Sequence, residues 1–433
     1  MKTIPRRTLL KTSALAAAST LAIRKTSGAP SEKLNLALIG LNGIGYFHLN
    51  NLVKRNDCII RTVCDIDESV LDRAAGTIKE ATGQTPKRAS DFRAVLEDKS
   101  IDAVIIATPH HWHIPIAIRA LRAGKDVYVE KPATHVFHEG QLLIAAARKY
   151  GRIVQHGTQK RSSEVTERAK EVLASGIIGE IKMSKAWNIQ RNSPPPVQPD
   201  GPAPSGVNYD MWLGPAAKHA FNPNRFHRTW RQYREYGNGD IGDDGAHDID
   251  LASLGLGVTT HPIRVTAHGS SVDLKGDREF PDNMMVAYEY ADGKVLLYED
   301  RQWTPYKMQG FDSGNAFYGT DGYMIFSRRE YFQVYLGAKE EKGPGMRIKD
   351  VIVPTTVRHM TNFFESIRSR KATVAPPEVA HRTCTLIHLG ETAYRVKRVL
   401  DFDPATETIT NDAEASALLT KPYRAPWSFP ELS

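Results

Sequence analysis

The stretch LNLALIGLNGIG (residues 34–45) decides the fold of this 433-residue chain. Its first six residues are largely apolar, and they predict a buried β-strand. The glycines that follow, Gly40, Gly43 and Gly45, predict a tight turn that opens a helix. A strand, a glycine turn and a helix in this order form the first unit of a dinucleotide-binding fold.

The glycine turn departs from the G-x-G-x-x-G fingerprint at one position. Gly40 and Gly45 match the first and third glycines, while Asn42 takes the middle position, between Leu41 and Gly43. Asparagine tolerates left-handed backbone geometry, so we expect the turn to survive. The predicted cofactor contacts here are Gly40, Asn42, Gly43, Ile44 and Gly45.

An acidic residue, Asp65, stands twenty positions after Gly45 at the end of the second predicted strand. A carboxylate there accepts a hydrogen bond from the ribose 2′-hydroxyl and repels a 2′-phosphate. The sequence therefore predicts NAD rather than NADP as the cofactor. The alternative is a domain of the same fold that binds no nucleotide.

Strands and helices alternate through the first part of the chain, which predicts a doubly wound parallel sheet. The pattern predicts strands over 34–39, 58–64, 102–107, 127–129 and 152–155, and helices over 44–54, 69–81, 91–97, 114–123 and 137–150. We therefore assign residues 31–157 to a Rossmann domain.

The stretch VYVEKP (residues 127–132) is a short buried strand that ends on a charged pair. Pro132 cannot donate to a sheet ladder, so Glu130 and Lys131 should stand at the carboxyl end of the strand. Ligands of open α/β sheets bind beyond those ends. Lys131 is therefore either half of a fixed ion pair or a catalytic group.

The stretch ATPHHWH (residues 107–113) follows the third predicted strand. Its three histidines suggest a metal site, but their spacing differs from that of the usual ligand pairs, and a strand-to-helix turn should spread them apart. The functional interpretation is that Thr108 and His113 line the nicotinamide side of the cleft. The alternative is that one or two of the histidines are surface or helix-capping residues.

Together, the glycine turn, Ala-Thr-Pro-x-x-x-His and Glu-Lys-Pro resemble the Gfo/Idh/MocA family of NAD(P)-dependent oxidoreductases. The stretch GNGDIGDDGAHDID (residues 237–250) is similar to the family's second signature, Asp-x-Gly-x-His-x-x-Asp. PYRAPW (residues 422–427) is shared with exported members. The resemblance covers essentially everything after residue 30.

The resemblance implies that Lys131 and His247 face the substrate carbon beside the nicotinamide. His247 would accept the hydroxyl proton, and Lys131 would donate to the developing alkoxide. Asp243 and His247 are four residues apart, so in a helix they would share a face and the carboxylate would orient the imidazole. The rival interpretation is a metal held by Asp243, His247 and a histidine of 110–113. The family needs none, so we expect no metal.

Most of the remaining site predictions lie in the second domain, residues 158–433. Gln159, with Glu130, is predicted to contact cofactor. Arg161 is predicted to contact substrate because its stretch leads from the last Rossmann strand into the second domain. Arg225, His227 and Trp230 are predicted to contact substrate, since polar groups beside an aromatic ring suit a sugar. The alternative for this last group is a solvated charged face with one core tryptophan.

Apolar alternation in the second domain predicts strands over 181–188, 264–271, 284–290, 295–300, 316–319 and 332–336, then helices over 357–369 and 379–399. We expect a mixed or antiparallel open sheet with helices on one face, followed by an irregular segment over 401–433. The resemblance implies that the open face forms a homodimer or homotetramer interface.

The N-terminus has the features of a targeting sequence. Residues 1–30 contain PRRTLLK, a twin arginine followed by a short apolar stretch, and resemble a twin-arginine export signal. The predicted location is periplasmic, with no membrane span in the mature protein. This segment holds six of the 57 Lys and Arg residues and no acid, so residues 31–433 carry only +2 and give no reason to expect nucleic acid binding.

Three hypotheses about function follow. The first is NAD-dependent hydride transfer at a hydroxyl of a sugar, polyol or glycoside. The second is a redox-neutral glycoside hydrolase that oxidises, eliminates, hydrates and reduces on one tightly bound NAD, because an exported protein has no soluble NAD pool. The third is a non-catalytic sugar-binding protein, against which Lys131, Asp243 and His247 argue.

Overall fold

The structure is a computed structural model that describes residues 33–191, 196–272, 276–349 and 352–429. The predicted export signal lies outside these residues. Within the described part of the chain, no helix is both long enough and apolar enough to cross a membrane.

The first domain is the predicted doubly wound sheet. Its six parallel strands run in the order β3-β2-β1-β4-β5-β6, which is the order of dinucleotide-binding folds. The strands are β1 Leu34–Ile39, β2 Cys58–Cys64, β3 Lys87–Ala89, β4 Ala103–Ile106, β5 Asp126–Val129 and β6 Val154–His156. The helices are α1 Ile44–Leu52, α2 Glu68–Thr82, α3 Phe92–Glu97, α4 His110–Arg122 and α5 Phe137–Tyr150. The edge strand β3 was not predicted, because three residues carry too little pattern.

Helix α4 begins four residues earlier than predicted, at His110. The expectation that a strand-to-helix turn spreads 110–113 apart is therefore wrong. All three histidines are buried in the first turn of α4. Pro109 precedes them as the N-cap residue, and its φ of −58° is already helix-compatible.

The second domain is a mixed ten-stranded sheet in the order β14-β13-β12-β11-β7-β10-β9-β8-β15-β16. Its strands are β7 Ile181–Ile189, β8 Arg264–Ser270, β9 Asn283–Glu289, β10 Val295–Arg301, β11 Ser313–Gly319, β12 Gly322–Ser327, β13 Tyr331–Leu336, β14 Glu341–Arg347, β15 Leu400–Asp403 and β16 Thr408–Ile409. Among these described strands, β7 and β10 pair in parallel and the other neighbours are antiparallel. The predicted mixed sheet is confirmed.

The helices of the second part are α6 Glu164–Ala174, α7 Tyr209–Leu213, α8 Gly239–Gly242, α9 Gly245–Leu256, α10 Ile352–Ser369, α11 Pro377–Val396 and α12 Ala413–Ala417. Helices α9 and α11 pack with the sheet into one apolar cluster. Gly245 permits the close approach of α9, because a Cβ there would lie 2.3 Å from the Tyr298 hydroxyl.

The last part of the chain is more ordered than expected. β15 pairs with β8 and with β16, so the prediction that 401–433 is irregular is wrong for these strands. Further on, Trp427 and Phe429 are buried in the core of the first domain. The Trp427 ring packs 4.7 Å from that of Trp112. The C-terminal segment therefore binds the Rossmann domain.

Candidate active site

A cleft of about 1180 Å³ lies between the two domains. That exceeds the 300–1,000 Å³ typical of a drug-sized ligand, so it has room for a dinucleotide and a small second molecule. Its lining includes the glycine turn, the carboxyl ends of β1, β2, β4 and β5, the segment 227–233 and the residues that join α8 to α9.

The glycine turn fits a pyrophosphate. Gly40 has φ +84°, and a Cβ there would lie 2.7 Å from the backbone carbon of Ala107, so no side chain fits between β1 and β4. Gly43 has φ +49°, and a Cβ there would meet no atom within 4 Å, so its backbone faces open space at the N-terminus of α1. That open approach compensates for Asn42 at the middle position of the fingerprint.

Asp65 lies where the sequence predicted, in the lining of the cleft. Its Oδ2 accepts the Leu41 N–H at 2.8 Å, and its Oδ1 accepts the Asp67 N–H at 3.2 Å. Burial raises the pKa of this carboxyl group. Asp65 therefore also fixes the glycine turn, in addition to the predicted ribose contact.

The sequence grouped His227 with the residues predicted to contact substrate. In the structure, its side chain contacts the glycine turn and the N-cap of α2. Its Nε2 is 3.1 Å from Asp67 Oδ2, and its Nδ1 is 3.2 Å from the Asn42 side-chain nitrogen. Its backbone is in the left-handed region, with φ +55°. His227 thus crosses the cleft from the second domain and touches the glycine turn, at the end predicted for the cofactor.

Lys131 and Asp243, which both line the cleft, form an ion pair. Arg231 Nε lies 2.9 Å from the second oxygen of Asp243. Burial would raise the pKa of Asp243, but the charges of Arg231 and Lys131 outweigh burial and hold the pKa below its usual range. Asp243 is therefore ionised and forms ion pairs with two cationic side chains.

Close packing brings this pair together. A Cβ on Gly242 would lie 3.6 Å from the ring of Pro132 and 2.3 Å from Asn238, so α8 sits directly against the Glu-Lys-Pro turn. Buried Asn238 lies 3.0 Å from His110 and donates to the carbonyl of His135 at 2.9 Å. These contacts position the second signature on the Rossmann domain.

The expectation that Asp243 shares a helical face with His247 is wrong. α8 ends at Gly242 and α9 begins at Gly245, so the chain breaks between them, with Asp243 at φ −85° and ψ −97°. Among the described residues, His247 Nδ1 is buried and has no hydrogen-bond partner. Asp243 is oriented by Lys131 and Arg231, and it does not orient the imidazole.

His247 nevertheless lines the cleft beside Lys131. Burial lowers the pKa of His247 well below its ordinary value, and the nearby charges of Lys131 and Arg328 lower it further. A neutral imidazole can accept a proton on its unprotonated ring nitrogen. This is the protonation state that the predicted general base requires.

Glu130 touches the cleft, but its carboxylate is engaged in a buried network. Its Oε1 lies 2.7 Å from His48 Nε2 and accepts from Gln159 Nε2 at 2.8 Å. Burial would raise the pKa of Glu130, but the His48 hydrogen bond and the charge of Lys131 hold it low. Gln159 therefore lies behind the site, and it is not among the cleft-lining residues of the described chain.

Other predicted residues are supports rather than cleft-lining groups. His113 lies 2.8 Å from the carbonyl oxygens of both Thr108 and Pro132, so it joins the turns that follow β4 and β5. Thr108 itself lines the cleft. Arg161 pairs through two nitrogens with buried Asp250, at 2.7 and 2.9 Å. Within the described chain, neither His113 nor Arg161 is part of the lining.

Trp230 lines the cleft, but it is also 5% exposed and belongs to an aromatic core, as the alternative interpretation held. Its ring packs edge-on against His110 with centroids 4.6 Å apart, and its contact with substrate stays a prediction. The Arg231 guanidinium lies over the same ring at 4.4 Å. The Arg225 guanidinium lies 5.6 Å from the ring of Tyr233, a cleft-lining residue, but Arg225 itself is outside the cleft lining of the described residues. Its contact with substrate stays a prediction.

Sequence reasoning missed a second charged group beside the pair. Asp244 lines the cleft and lies 3.3 Å from Arg328 Nη2, while Asp248 Oδ1 lies 3.4 Å from Arg328 Nε. Burial raises the pKa of Asp248 to about 8. Asp244 could have been predicted, because it follows Asp243 within the second signature. Arg328 directly follows β12, and no motif in the sequence points to it.

The chain belongs to the Gfo/Idh/MocA oxidoreductase family. A family model described as "Oxidoreductase family, NAD-binding Rossmann fold" matches residues 34–158, and one described as "Oxidoreductase family, C-terminal alpha/beta domain" matches residues 186–429. The predicted family, fold class and NAD cofactor are confirmed at this level.

Among curated proteins, the scyllo-inositol 2-dehydrogenase (NAD(+)) of Bacillus subtilis is 32% identical over 67% of this chain and 73% of its own length. A glycosyl hydrolase family 109 protein of Stenotrophomonas maltophilia is 37% identical over 136 residues, which is 30% of each chain. A solved levoglucosan dehydrogenase in complex with NADH superposes with a TM-score of 0.68 at 19% identity, covering 85% of this chain and 99% of that one, and so supports the fold.

Proposed function

We propose that the protein oxidises a hydroxyl group of a small sugar or polyol by transferring a hydride to NAD. The observation that carries the proposal is that neutral His247 and the Lys131–Asp243–Arg231 ion-pair group line the same cleft as the glycine turn. The inositol and levoglucosan dehydrogenases among its relatives support the substrate class.

The residues divide the proton and charge work. The glycine turn and Asp65 would hold NAD, which would supply the hydride acceptor. His247 takes the hydroxyl proton, since its low pKa keeps it neutral. Lys131 donates a hydrogen bond to the same oxygen and stabilises the negative charge that develops there. Asp243 holds the Lys131 ammonium in place, and Arg231 forms the second ion pair of Asp243.

The test is a spectrophotometric assay of NADH formation with inositols, anhydrosugars, hexoses and their glycosides. Lys131→Met and His247→Asn should each lower kcat/KM by about 10²–10⁴-fold on the best substrate. Lys87→Met is the matched control, because Lys87 is 73% exposed and pairs with Asp98, outside the cleft lining of the described residues. Full activity of Lys131→Met would refute the assignment.

A second candidate is redox-neutral hydrolysis of a glycoside, in which the hydride taken from the sugar returns to it after elimination and addition of water. Two observations favour it: the 37% identity to the family 109 protein over the shared segment, and the contact that His227 makes across the cofactor end of the cleft. Near-stoichiometric NAD in purified protein that survives dialysis, with glycoside cleavage and no net NADH, would establish this reaction. Protein that is purified empty would exclude it.

We also propose export by the twin-arginine route and assembly into a homodimer or homotetramer. The PRRTLLK stretch supports the first proposal. Partly buried tyrosines on the side of the sheet away from α9 and α11 support the second, including Tyr323 and Tyr335, stacked at 4.9 Å. Replacing Arg6 and Arg7 with Lys should retain the precursor in the cytoplasm, and light scattering gives the oligomer mass.

A further inference from the structure

Two histidines and a glutamate that do not line the cleft come together elsewhere in the second domain. His261 precedes β8, His381 lies on α11, and Glu407 lies in the turn between β15 and β16. His261 Nε2 is 3.1 Å from Glu407 Oε1, and His381 Nε2 is 3.2 Å from Glu407 Oε2. One ligand atom from each residue lies within 4.8 Å of the others.

The burial and the ligand types of this group suit a metal ion. The side chains of both histidines are at least nine-tenths buried, and that of Glu407 is 26% exposed, which leaves an entry path. Two imidazole nitrogens and a carboxylate oxygen are ligands that zinc takes in proteins.

The surrounding chain holds the three ligands in place. Glu407 has φ +55°, a left-handed conformation that a non-glycine residue adopts only when its surroundings demand it. Gln141 of α5 donates to Glu407 Oε2 at 2.8 Å. The α5 backbone also packs tightly on His381, because a Cβ on Gly140 would lie 2.1 Å from its Nδ1.

We propose that His261, His381 and Glu407 bind one divalent transition-metal ion of the zinc type. In a tetrahedral zinc site with bonds of about 2.0–2.1 Å, neighbouring ligand atoms are separated by about 3.4 Å. The two nitrogen–oxygen distances, 3.1 and 3.2 Å, reach different oxygens of Glu407, so the carboxylate must turn until one oxygen faces both nitrogens. The separations of up to 4.8 Å within the group must also shorten. The ion joins α11, the segment before β8 and the β15–β16 turn, which are far apart in sequence.

The affinity should be moderate. Among the described residues, His261 Nδ1 is buried without a partner, so no outer hydrogen bond fixes that ring. Missing outer-shell partners weaken metal sites by about 10–100-fold. Water completes the coordination on the exposed side of Glu407.

The test uses the full chain without a histidine tag, stripped by a chelating resin and titrated with ZnCl₂ by calorimetry. We expect one equivalent to bind and the unfolding midpoint to rise by about 3 °C at a hundredfold excess over Kd. Co²⁺ should give the visible absorption bands of a tetrahedral site. His261→Asn and Glu407→Gln should abolish the one-equivalent binding, while exposed His219→Asn should leave it unchanged.

The alternative is a hydrogen-bonded group in which both imidazoles donate to the carboxylate. Wild-type protein that binds no more Zn²⁺ than Glu407→Gln, or that shows no midpoint shift with Zn²⁺, would overturn the proposal. Metal binding is measured directly, and none of the three residues lines the cleft, so the result does not depend on the proposed dehydrogenase activity.

Discussion

At the scale of single residues, the active-site chemistry depends on how charges are distributed around His247. The positive charges of Lys131 and Arg328 oppose protonation of His247, and burial removes the water that would stabilise a protonated imidazole. The carboxylate expected beside His247 is instead bound to Lys131 and Arg231. The base is therefore kept neutral by its surroundings and needs no acidic partner.

This arrangement predicts the acidic limb of the pH profile. A lowered histidine pKa means that the base loses activity only when the pH falls well below the ordinary value of about 6.5. We expect kcat/KM to stay level from pH 7.5 to below 6.5 and then to fall. Arg328→Met should move the limb upward by removing one positive neighbour. A wild-type limb at or above pH 6.5 would contradict this assignment of the base.

At the scale of elements, the segment that carries Phe226, Trp230 and Tyr236 forms a small aromatic core with α7, against the Rossmann domain. An isolated bridge between Asp67 and Val207 ties the chain just before α7 to the N-cap of α2. His227 extends from this segment to Asn42 and Asp67. The segment thus connects the second domain to the glycine turn.

His227→Ala should weaken NAD binding by about 3–10-fold, because it removes two hydrogen bonds that connect the segment to the glycine turn. Arg225→Ala is the matched control from the same segment, since Arg225 lies outside the cleft lining of the described residues. Fluorescence titration with NADH measures both. Equal affinities of the two variants would show that the contact does not help to hold the cofactor.

The C-terminal segment is a second element whose role can be tested. Trp427 is 5% exposed and packs with Trp112 and Phe92 in the Rossmann core. Trp427→Ala should reduce the free energy of unfolding by about 3–5 kcal/mol. Met285→Ala should change little, because Met285 is 55% exposed. Urea denaturation gives both values, and a loss below about 1 kcal/mol for Trp427→Ala would mean that the segment is not bound in solution.

At the scale of the whole molecule, buried titratable groups set the response to acid. Burial lowers the pKa of nine histidines among the described residues: His110, His111, His113, His135, His156, His247, His261, His359 and His388. Burial raises the pKa of five acids there: Asp65, Asp240, Asp248, Asp300 and Glu391. The histidines are the larger set.

The free energy of unfolding should therefore fall as the pH drops below 6.5. In that range the unfolded chain protonates its histidines while the folded chain keeps them neutral, and each such group costs up to about 1.4 kcal/mol per pH unit. The buried acids act in the opposite direction, but they are fewer. Urea midpoints at pH 7.5, 6.0 and 5.0 should decrease in that order, and a rise between 7.5 and 5.0 would contradict the argument.

Local sequence was enough for much of this protein. The glycine turn predicted β1 and α1 because a left-handed backbone and a close approach to β4 exclude other residues at Gly40. Continuous apolar runs predicted the inner strands, because a parallel sheet is covered on both faces. Lys131, Asp243 and His247 were found through the resemblance of two short signatures, and all three line one cleft.

Only the tertiary structure determined which side chains pair with each other. That Asp243 binds Lys131 and Arg231, that His227 reaches Asn42, and that Arg161 and Gln159 lie behind the site all depend on packing between distant segments. The same holds for His261, His381 and Glu407, which come from three separate elements. Spacing along a chain determines neighbours only within a helix or strand, whereas a side chain's charge partner is whichever group the packed domains place within reach.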